Sequence, residues 1–567
     1  MLRSFVSRFL ITVVVVATAV NALADSDDDL VIVQTGNGPL RGVNRGSYYA
    51  FEGIPYAKAP VGDLRLAASE LNDERWDEPR DATEQRSECL QWSHFEEGED
   101  RTTGEEDCLF LNIYTTSLNS TEPLPTIFFI HGGAFMFGGK SFYQPDNMMK
   151  IPLVLVTINY RLGPLGFLST EDDVIPGNFG LKDQVTALKW VRLNVEHFGG
   201  HPESITLSGY SAGSASVQLH YLSPMSRGLF KNGIGHSGSA LNPWVLVENS
   251  AEKARKIAAT IDCPTKPSKD MLICLRQKPA RDVVQAVAPF FDFLYNPFSP
   301  LGVVIEKQSK NNPKPFLADH PYKLMQTGKF YRVPLLLSVN EAEGLYPGAE
   351  FISKQEYLND INKNWNKLLP SILDYHTSMR NDEVRRDEIS QTIRKRYLGR
   401  KMLSDNSFRD FIRIISNRLY FAGVVRSTQL MQVHTPIYLY YDVYKTKYAI
   451  GEYLSNSTKN YGVAHGEDVL LLFNTEWREQ VPYTKEELLV ASRFVKMYEQ
   501  FARDSVATFG SYDIPRMDKK DMVRFLEVNY PKCEPKLSRQ LSDENFWNQI
   551  DFNDGMPVAA PPVKTEL

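Results

Sequence analysis

The sequence predicts an α/β fold: a mostly parallel central sheet flanked by helices, with helical insertions over one end. Three observations predict it. Residues 126–130, 153–159, 333–339 and 437–443 are continuous apolar runs rich in β-branched and aromatic side chains, as strands buried on both faces require. From 182 to 198, Val185, Leu188, Val191, Leu193, Val195 and Phe198 recur mostly at helical spacing, so strand and helix alternate. Residues 345–426 are rich in charge and helix formers, which makes them a helical insertion over one end of the sheet.

In chain order, strand-like runs at 30–34 and 109–114 precede the buried pair at 126–130 and 153–159. The helix pattern follows, then a short apolar strand at 205–207 and a helix-like run at 215–221. The buried-strand pattern returns at 333–339 and 437–443, after long and mainly helical insertions. No Pro/Gly/Ser-rich linker, internal repeat, low-complexity tract or heptad run divides the chain. It therefore reads as a leader over 1–24, one large domain over 25–550 and a tail over 551–567.

With 567 residues, 43% of them hydrophobic and 23% charged, the chain can bury a sizeable core. A net charge of -6 without a basic block gives nucleic acid nothing to hold. Arg3 and Arg8, an apolar stretch over 9–20 and then Ala22-Leu23-Ala24 read as a secretory signal cleaved after Ala24. The stretch is too short to span a bilayer, so no stable membrane anchor is expected.

A secreted chain with five cysteines invites pairing, and the spacing suggests Cys89 with Cys108 and Cys263 with Cys274, leaving Cys533 as a thiol. Asn119 and Asn456 open N-x-S/T acceptors for glycosylation, in keeping with an oxidising route. The acidic cluster over 96–107 reads as a solvated loop between the first two cysteines. The last four residues, Lys564-Thr565-Glu566-Leu567, approach the K-D-E-L address and depart from it at Thr565. Secretion and retention in the endoplasmic reticulum lumen both stay open.

Chemistry is concentrated at Gly209-Tyr210-Ser211-Ala212-Gly213, a G-x-S-x-G motif between the strand at 205–207 and the helix at 215–221. Such a strand-turn-helix elbow lifts one hydroxyl out of the fold as a nucleophile. The motif alone is weak evidence, because glycine and serine are common; its partners decide. A serine hydroxyl needs a base to take its proton, and the base needs a third group to fix its tautomer. In α/β-hydrolases the chain order is serine, acid, histidine.

Catalytic groups in these sheets sit beyond the carboxyl ends of strands. His434 lies at the wrong end of its strand, His236 and His320 come too early, and His376 lies in the charged insertion. His465, in Gly462-Val463-Ala464-His465-Gly466, follows the last strong strand in a loop that glycines permit. It is the candidate base. The strand at 333–339 runs out into Asn340-Glu341-Ala342-Glu343-Gly344, where Glu343 is the preferred acid and Glu341 the runner-up. His131-Gly132-Gly133-Ala134 directly follows the strand at 126–130 and matches an H-G-G oxyanion loop. The N–H groups of Gly132, Gly133 and Ala212 are the candidate oxyanion donors. H-E-x-x-H, C-x-x-C, G-x-x-x-x-G-K and G-x-G-x-x-G after a strand are absent from the sequence, so neither metal nor cofactor is called for.

These residues resemble the type-B carboxylesterase/cholinesterase family. The quoted matches include Phe51-Glu52-Gly53-Ile54-Pro55-Tyr56-Ala57, Glu106-Asp107-Cys108-Leu109-Phe110-Leu111-Asn112, Asn159-Tyr160-Arg161-Leu162-Gly163 and Gly177-Asn178-Phe179-Gly180-Leu181-Lys182-Asp183-Gln184. The resemblance runs from about residue 30 to 546, and the stretch at 222–230 is most like insect carboxylesterases. It implies an α/β-hydrolase that hydrolyses a small-molecule carboxylic ester through an acyl-enzyme. The family's triad falls on Ser211, Glu343 and His465, its oxyanion donors on Gly132, Gly133 and Ala212, and its early disulfides on the pairs above. Ser237 matches a second serine that hydrogen-bonds near the triad. Tyr210 departs from the glutamate of acetylcholinesterases and the glutamine of juvenile-hormone esterases. An odorant, pheromone or juvenile-hormone ester stays an alternative substrate reading. The rival class is a non-catalytic adhesion or ligand-binding relative. Trp244 and Phe290 stand either in an apolar acyl pocket or in ordinary core.

Overall fold

The computed structural model describes residues 29–447, 449–474, 482–518 and 522–558. The leader at 1–24 and the Lys564–Leu567 terminus lie outside the described residues. Thirteen strands form one sheet. In chain order they are β1 (Leu30–Gln34), β2 (Pro39–Asn44), β3 (Tyr49–Pro55), β4 (Arg80–Asp81), β5 (Phe110–Thr115), β6 (Leu124–Ile130) and β7 (Val154–Ile158). They continue with β8 (Gly200–Tyr210), β9 (Asn232–His236), β10 (Leu335–Asn340), β11 (Ile437–Asp442), β12 (Val523–Val528) and β13 (Glu534–Ser538).

The spatial order is β1-β2-β3-β5-β7-β6-β8-β9-β10-β11-β12-β13, with β4 beside β2. Every pair from β7 through β12 is parallel. The two ends of the sheet are antiparallel.

Alternation along the central strands divides the core into two. Phe128 and Ile130 of β6 and Leu335, Leu337 and Val339 of β10 face one side, while Ile127, Phe129 and Leu336 face the other. The first side is covered by α1 (Phe179–Asn194) and α2 (Ala212–Leu222) through Val185, Leu188 and Val217. A later 20-residue helix, Lys485–Asp504, covers the second side with Val490, Phe494, Tyr498 and Phe501. Thr484 opens that helix with a reciprocal cap, accepting the Glu487 N–H at 3.1 Å while the Glu487 carboxylate accepts the Thr484 N–H at 2.8 Å.

Two of the strands show why a hydrophobic reading falls short. In β9, Asn232-Gly233-Ile234-Gly235-His236, glycine stands where the neighbouring helix comes closest. A Cβ on Gly235 would lie 2.4 Å from the Ser214 hydroxyl, and one on Gly233 would lie 2.8 Å from that of Tyr221. In β8 the apolar part is only Ile205 to Leu207, yet pairing extends it from Gly200 to Tyr210.

The insertion after β10 is helical as expected, and includes α3 (Leu345–Ile352), α4 (Phe408–Ser416) and α5 (Ala422–Met431), the last two joined by a π-helical turn over Asn417–Phe421. The disulfides are Cys89–Cys108 and Cys263–Cys274, and Cys533 is a buried free thiol. Asn119 and Asn456 are exposed. No described helix is long and apolar enough to cross a membrane.

Candidate active site

Ser211 stands at the turn from β8 into α2 with φ 57° and ψ -117°. That left-handed backbone is strained for a residue with a side chain, and the flanking glycines are what let the turn close. A Cβ on Gly209 would lie 2.3 Å from the Gly213 carbonyl oxygen, and one on Gly213 would lie 2.0 Å from that of Ile130. The motif is therefore a steric requirement of this elbow. The Ser211 N–H is donated to the His236 carbonyl at 2.8 Å, which pins the turn to the end of β9.

The two loops holding acid and base are joined. Ala342 donates its N–H to the Val463 carbonyl at 2.8 Å, and Asn340 donates its side-chain amide to the Ala464 carbonyl at 2.9 Å. Glu343 is fully buried. Its Oε1 accepts the Asn340 N–H at 2.7 Å and its Oε2 lies 2.5 Å from His465 Nδ1. Glu341, by contrast, is exposed and accepts the Val463 N–H at 3.3 Å. Of the two carboxylates the sequence left open, the structure brings Glu343 to the histidine.

With Nδ1 committed to Glu343, the Nε2 of His465 is enclosed and has no hydrogen-bond partner among the described residues. Its ring is surrounded by tyrosines: Tyr420 at 4.6 Å, Tyr210 at 4.8 Å and Tyr346 at 5.7 Å between ring centroids. Tyr210 also donates its hydroxyl to the His465 carbonyl at 3.4 Å. Burial pushes the Tyr210 and Tyr420 hydroxyls well above their ordinary range, so both are neutral walls.

The glycine loop after β6 corrects one expectation. Gly132 donates its N–H to the Tyr143 hydroxyl at 3.4 Å. Among the described residues no acceptor takes the N–H of Gly133, Ala134 or Ala212. Gly132 matters through its missing side chain, since a Cβ there would lie 3.0 Å from that of Ser211 and 2.9 Å from the Tyr210 carbonyl. His131 is held neutral: burial lowers it to about 4, against the opposing hydrogen bond of its Nδ1 to the Gly132 carbonyl at 2.7 Å.

Ser237 also differs from expectation. Its hydroxyl is buried without a hydrogen-bond partner among the described residues, so the bond inferred beside the triad is not seen there. Trp244 is buried and packs on Phe298 at 5.9 Å and Tyr420 at 6.3 Å, one ring removed from His465. Phe290 is half-buried beneath the Lys256 ammonium at 4.4 Å, outside this cluster.

His236, which chain order sets aside as a base, anchors a second buried polar cluster. His236, at the end of β9, has Nδ1 2.8 Å from Asp468 Oδ2, and Asp468 also accepts from Ser338, Tyr440 and Asn340. Burial opposes ionisation of Asp468, but His236 and these donors hold its carboxyl at about 2. Asn340 thus contacts both carboxylates, Glu343 through its backbone and Asp468 through its side chain. The signal the sequence carries is Asn340, a polar residue ending the apolar β10.

The chain is similar to known proteins over most of its length. The carboxylesterase family profile matches residues 29–547. The chain belongs to the carboxylesterase family. It is 37% identical to venom carboxylesterase-6 of Apis mellifera over 541 residues, covering 93% of this chain and 96% of that one. It is 36% identical to esterase-5B of Drosophila miranda, covering 91% and 96%. A solved structure of juvenile hormone esterase from Manduca sexta, with OTFP covalently attached, shares the fold with a TM-score of 0.77 at 24% identity, covering 91% of this chain and 98% of that one. Carboxylesterase membership makes the chain a carboxylic ester hydrolase with a small-molecule ester as substrate. Among the described residues no group of histidine, cysteine, aspartate or glutamate could hold a metal ion.

Proposed function

We propose that this carboxylesterase hydrolyses its ester through an acyl-enzyme formed on Ser211. The observation that carries the reading is His465, whose Nδ1 is bound to the buried Glu343 at 2.5 Å while its Nε2 is left without a partner. An imidazole held this way presents Nε2 as the acceptor for a hydroxyl proton. Ser211 attacks the ester carbonyl, its proton passes to Nε2, and Glu343 stabilises the imidazolium. The unpaired N–H groups of Gly133 and Ala212, with that of Ala134 beside them, bind the developing oxyanion. His465 then protonates the departing alcohol, and water repeats the sequence to release the acid.

The protein travels the secretory route in this reading. Two disulfides and two exposed acceptor asparagines, Asn119 and Asn456, support it. The reaction is tested by turnover of p-nitrophenyl esters of increasing acyl length by wild type and Ser211→Ala. A rate that falls by about 10³-fold or more in the variant supports the reading. Equal rates in the two proteins overturn it.

A further inference from the structure

A line of rings leads away from His465 to the surface. Tyr346 lies parallel to the His465 ring at 5.7 Å and 17°, Tyr295 lies 6.2 Å from Tyr346, and His94 stacks on Tyr295 at 3.8 Å. Phe95 covers His94 at 4.0 Å and is 57% exposed. Two of the polar atoms along this line stand out. Among the described residues His94 Nε2 and Tyr346 Oη are both enclosed with no hydrogen-bond partner, the state also found at His465 Nε2.

An unpaired buried polar atom costs about 1–3 kcal/mol, and phenylalanine at either position would avoid that cost while keeping the stack. The cost is recovered when a ligand brings the missing partner. His94 is held by its surroundings, since the Cys89–Cys108 disulfide closes its loop and the Ser93 N–H is donated to the Arg101 carbonyl at 2.9 Å. Burial, with the Arg101 charge added, lowers His94 to about 3, so it recognises ligands as a neutral hydrogen-bonding ring. Tyr346 lies against the histidine that protonates the leaving alcohol, which places the line of rings on the alcohol side of the ester.

We infer that His94 and Tyr346 form a hydrogen-bonding subsite for the alcohol portion of the substrate, fitted to a flat apolar alcohol that carries one polar atom at its far end. The inference rests on the proposed roles of Ser211 and His465. It assigns the partner of two buried atoms, and with it a class of ester: aryl or conjugated alcohols bearing a hydroxyl, ether or carbonyl group.

The test uses 4-(hydroxymethyl)phenyl acetate and 4-ethylphenyl acetate, which differ by a hydroxyl in place of a methyl group. The hydroxymethyl-to-ethyl ratio of kcat/KM is expected to fall about tenfold in His94→Phe and in Tyr346→Phe relative to wild type, the loss of one hydrogen bond in each. A ratio unchanged in both variants overturns the subsite. Calorimetric binding of 4-(hydroxymethyl)phenol and 4-ethylphenol to Ser211→Ala, with and without His94→Phe, reads the same ratio without turnover. If neither ester is hydrolysed, the acyl-enzyme reading has failed, while the binding ratio still decides the subsite by its fall or its constancy.

Discussion

Replacing Glu343 by glutamine separates the roles of two neighbouring carboxylates. Both partners of the Glu343 carboxylate are donors: the Asn340 N–H at 2.7 Å and, at 2.5 Å, the Nδ1 of His465. The Asn340 N–H belongs to the end of β10 and cannot turn away, so the glutamine oxygen must face it. The glutamine NH2 then faces His465 Nδ1, which must give up its proton and accept. That tautomer carries hydrogen on Nε2 and cannot take the Ser211 proton.

A tautomer error of this kind lowers kcat by about 10⁴-fold, about 5.5 kcal/mol of barrier. Glu341→Gln is the control, because the exposed side chain accepts the Val463 N–H at 3.3 Å, which a glutamine oxygen can keep. Its kcat is expected to stay within about twofold of wild type, the usual scale of a surface substitution. Steady-state turnover of p-nitrophenyl acetate measures both, with circular dichroism confirming that each variant folds. Retention of more than a tenth of kcat in Glu343→Gln, or equal losses in the two variants, would refute the reasoning.

Three further outcomes follow from the same contacts. Gly209→Ala drives a Cβ to 2.3 Å from the Gly213 carbonyl oxygen, so the elbow must shift. Its thermal midpoint should drop by the equivalent of about 1–3 kcal/mol, with a larger relative loss of kcat than of stability. Asp468→Asn removes one of the two accepting oxygens on which His236, Ser338, Tyr440 and Asn340 converge; a loss of about 1–3 kcal/mol is expected in urea unfolding, and an unchanged midpoint would show the contact to be dispensable. Burial raises Glu544 from 4.5 to about 7, so the folded state holds its proton more tightly than the unfolded chain does. Its contribution is fully present below about pH 4.5 and is lost as pH rises through about 7, roughly 3 kcal/mol in all. Thermal midpoints of Glu544→Gln should therefore decline less between pH 5 and pH 8 than those of wild type.

The parts of the fold legible in the sequence are those whose residues answer to one demand. β6, β7 and β10 are buried on both faces and β11 nearly so, which mostly apolar side chains satisfy. β9 answers to two demands, pairing and the close approach of α2, and its glycines erase the hydrophobic signal. The candidate site divides the same way. Ser211, Glu343 and His465 stand at strand ends or in glycine-permitted turns, where chain order and strand polarity narrow the choice. The strand-end position and the glycine that follows favour Glu343 over Glu341 in the sequence, and burial adds a physical difference that spacing does not carry.

The tyrosine wall around His465 could not be read at all. Tyr210 comes from the elbow, Tyr346 from α3 and Tyr420 from the π-helical turn, three segments far apart in the chain. The oxyanion loop was legible as a motif but not in detail. Tyr143, which takes the Gly132 N–H, lies eleven residues beyond that glycine in a turn without a pattern of its own.

The most direct test of the account is covalent capture at Ser211. Wild type and Ser211→Ala are treated with an aryl organophosphate, digested and read by mass spectrometry, with the release of the aryl alcohol followed in parallel. The account predicts one adduct per chain, on the peptide containing Ser211, with stoichiometric alcohol release, and neither adduct nor release in Ser211→Ala. An adduct on another residue, or one that persists in Ser211→Ala, would contradict it.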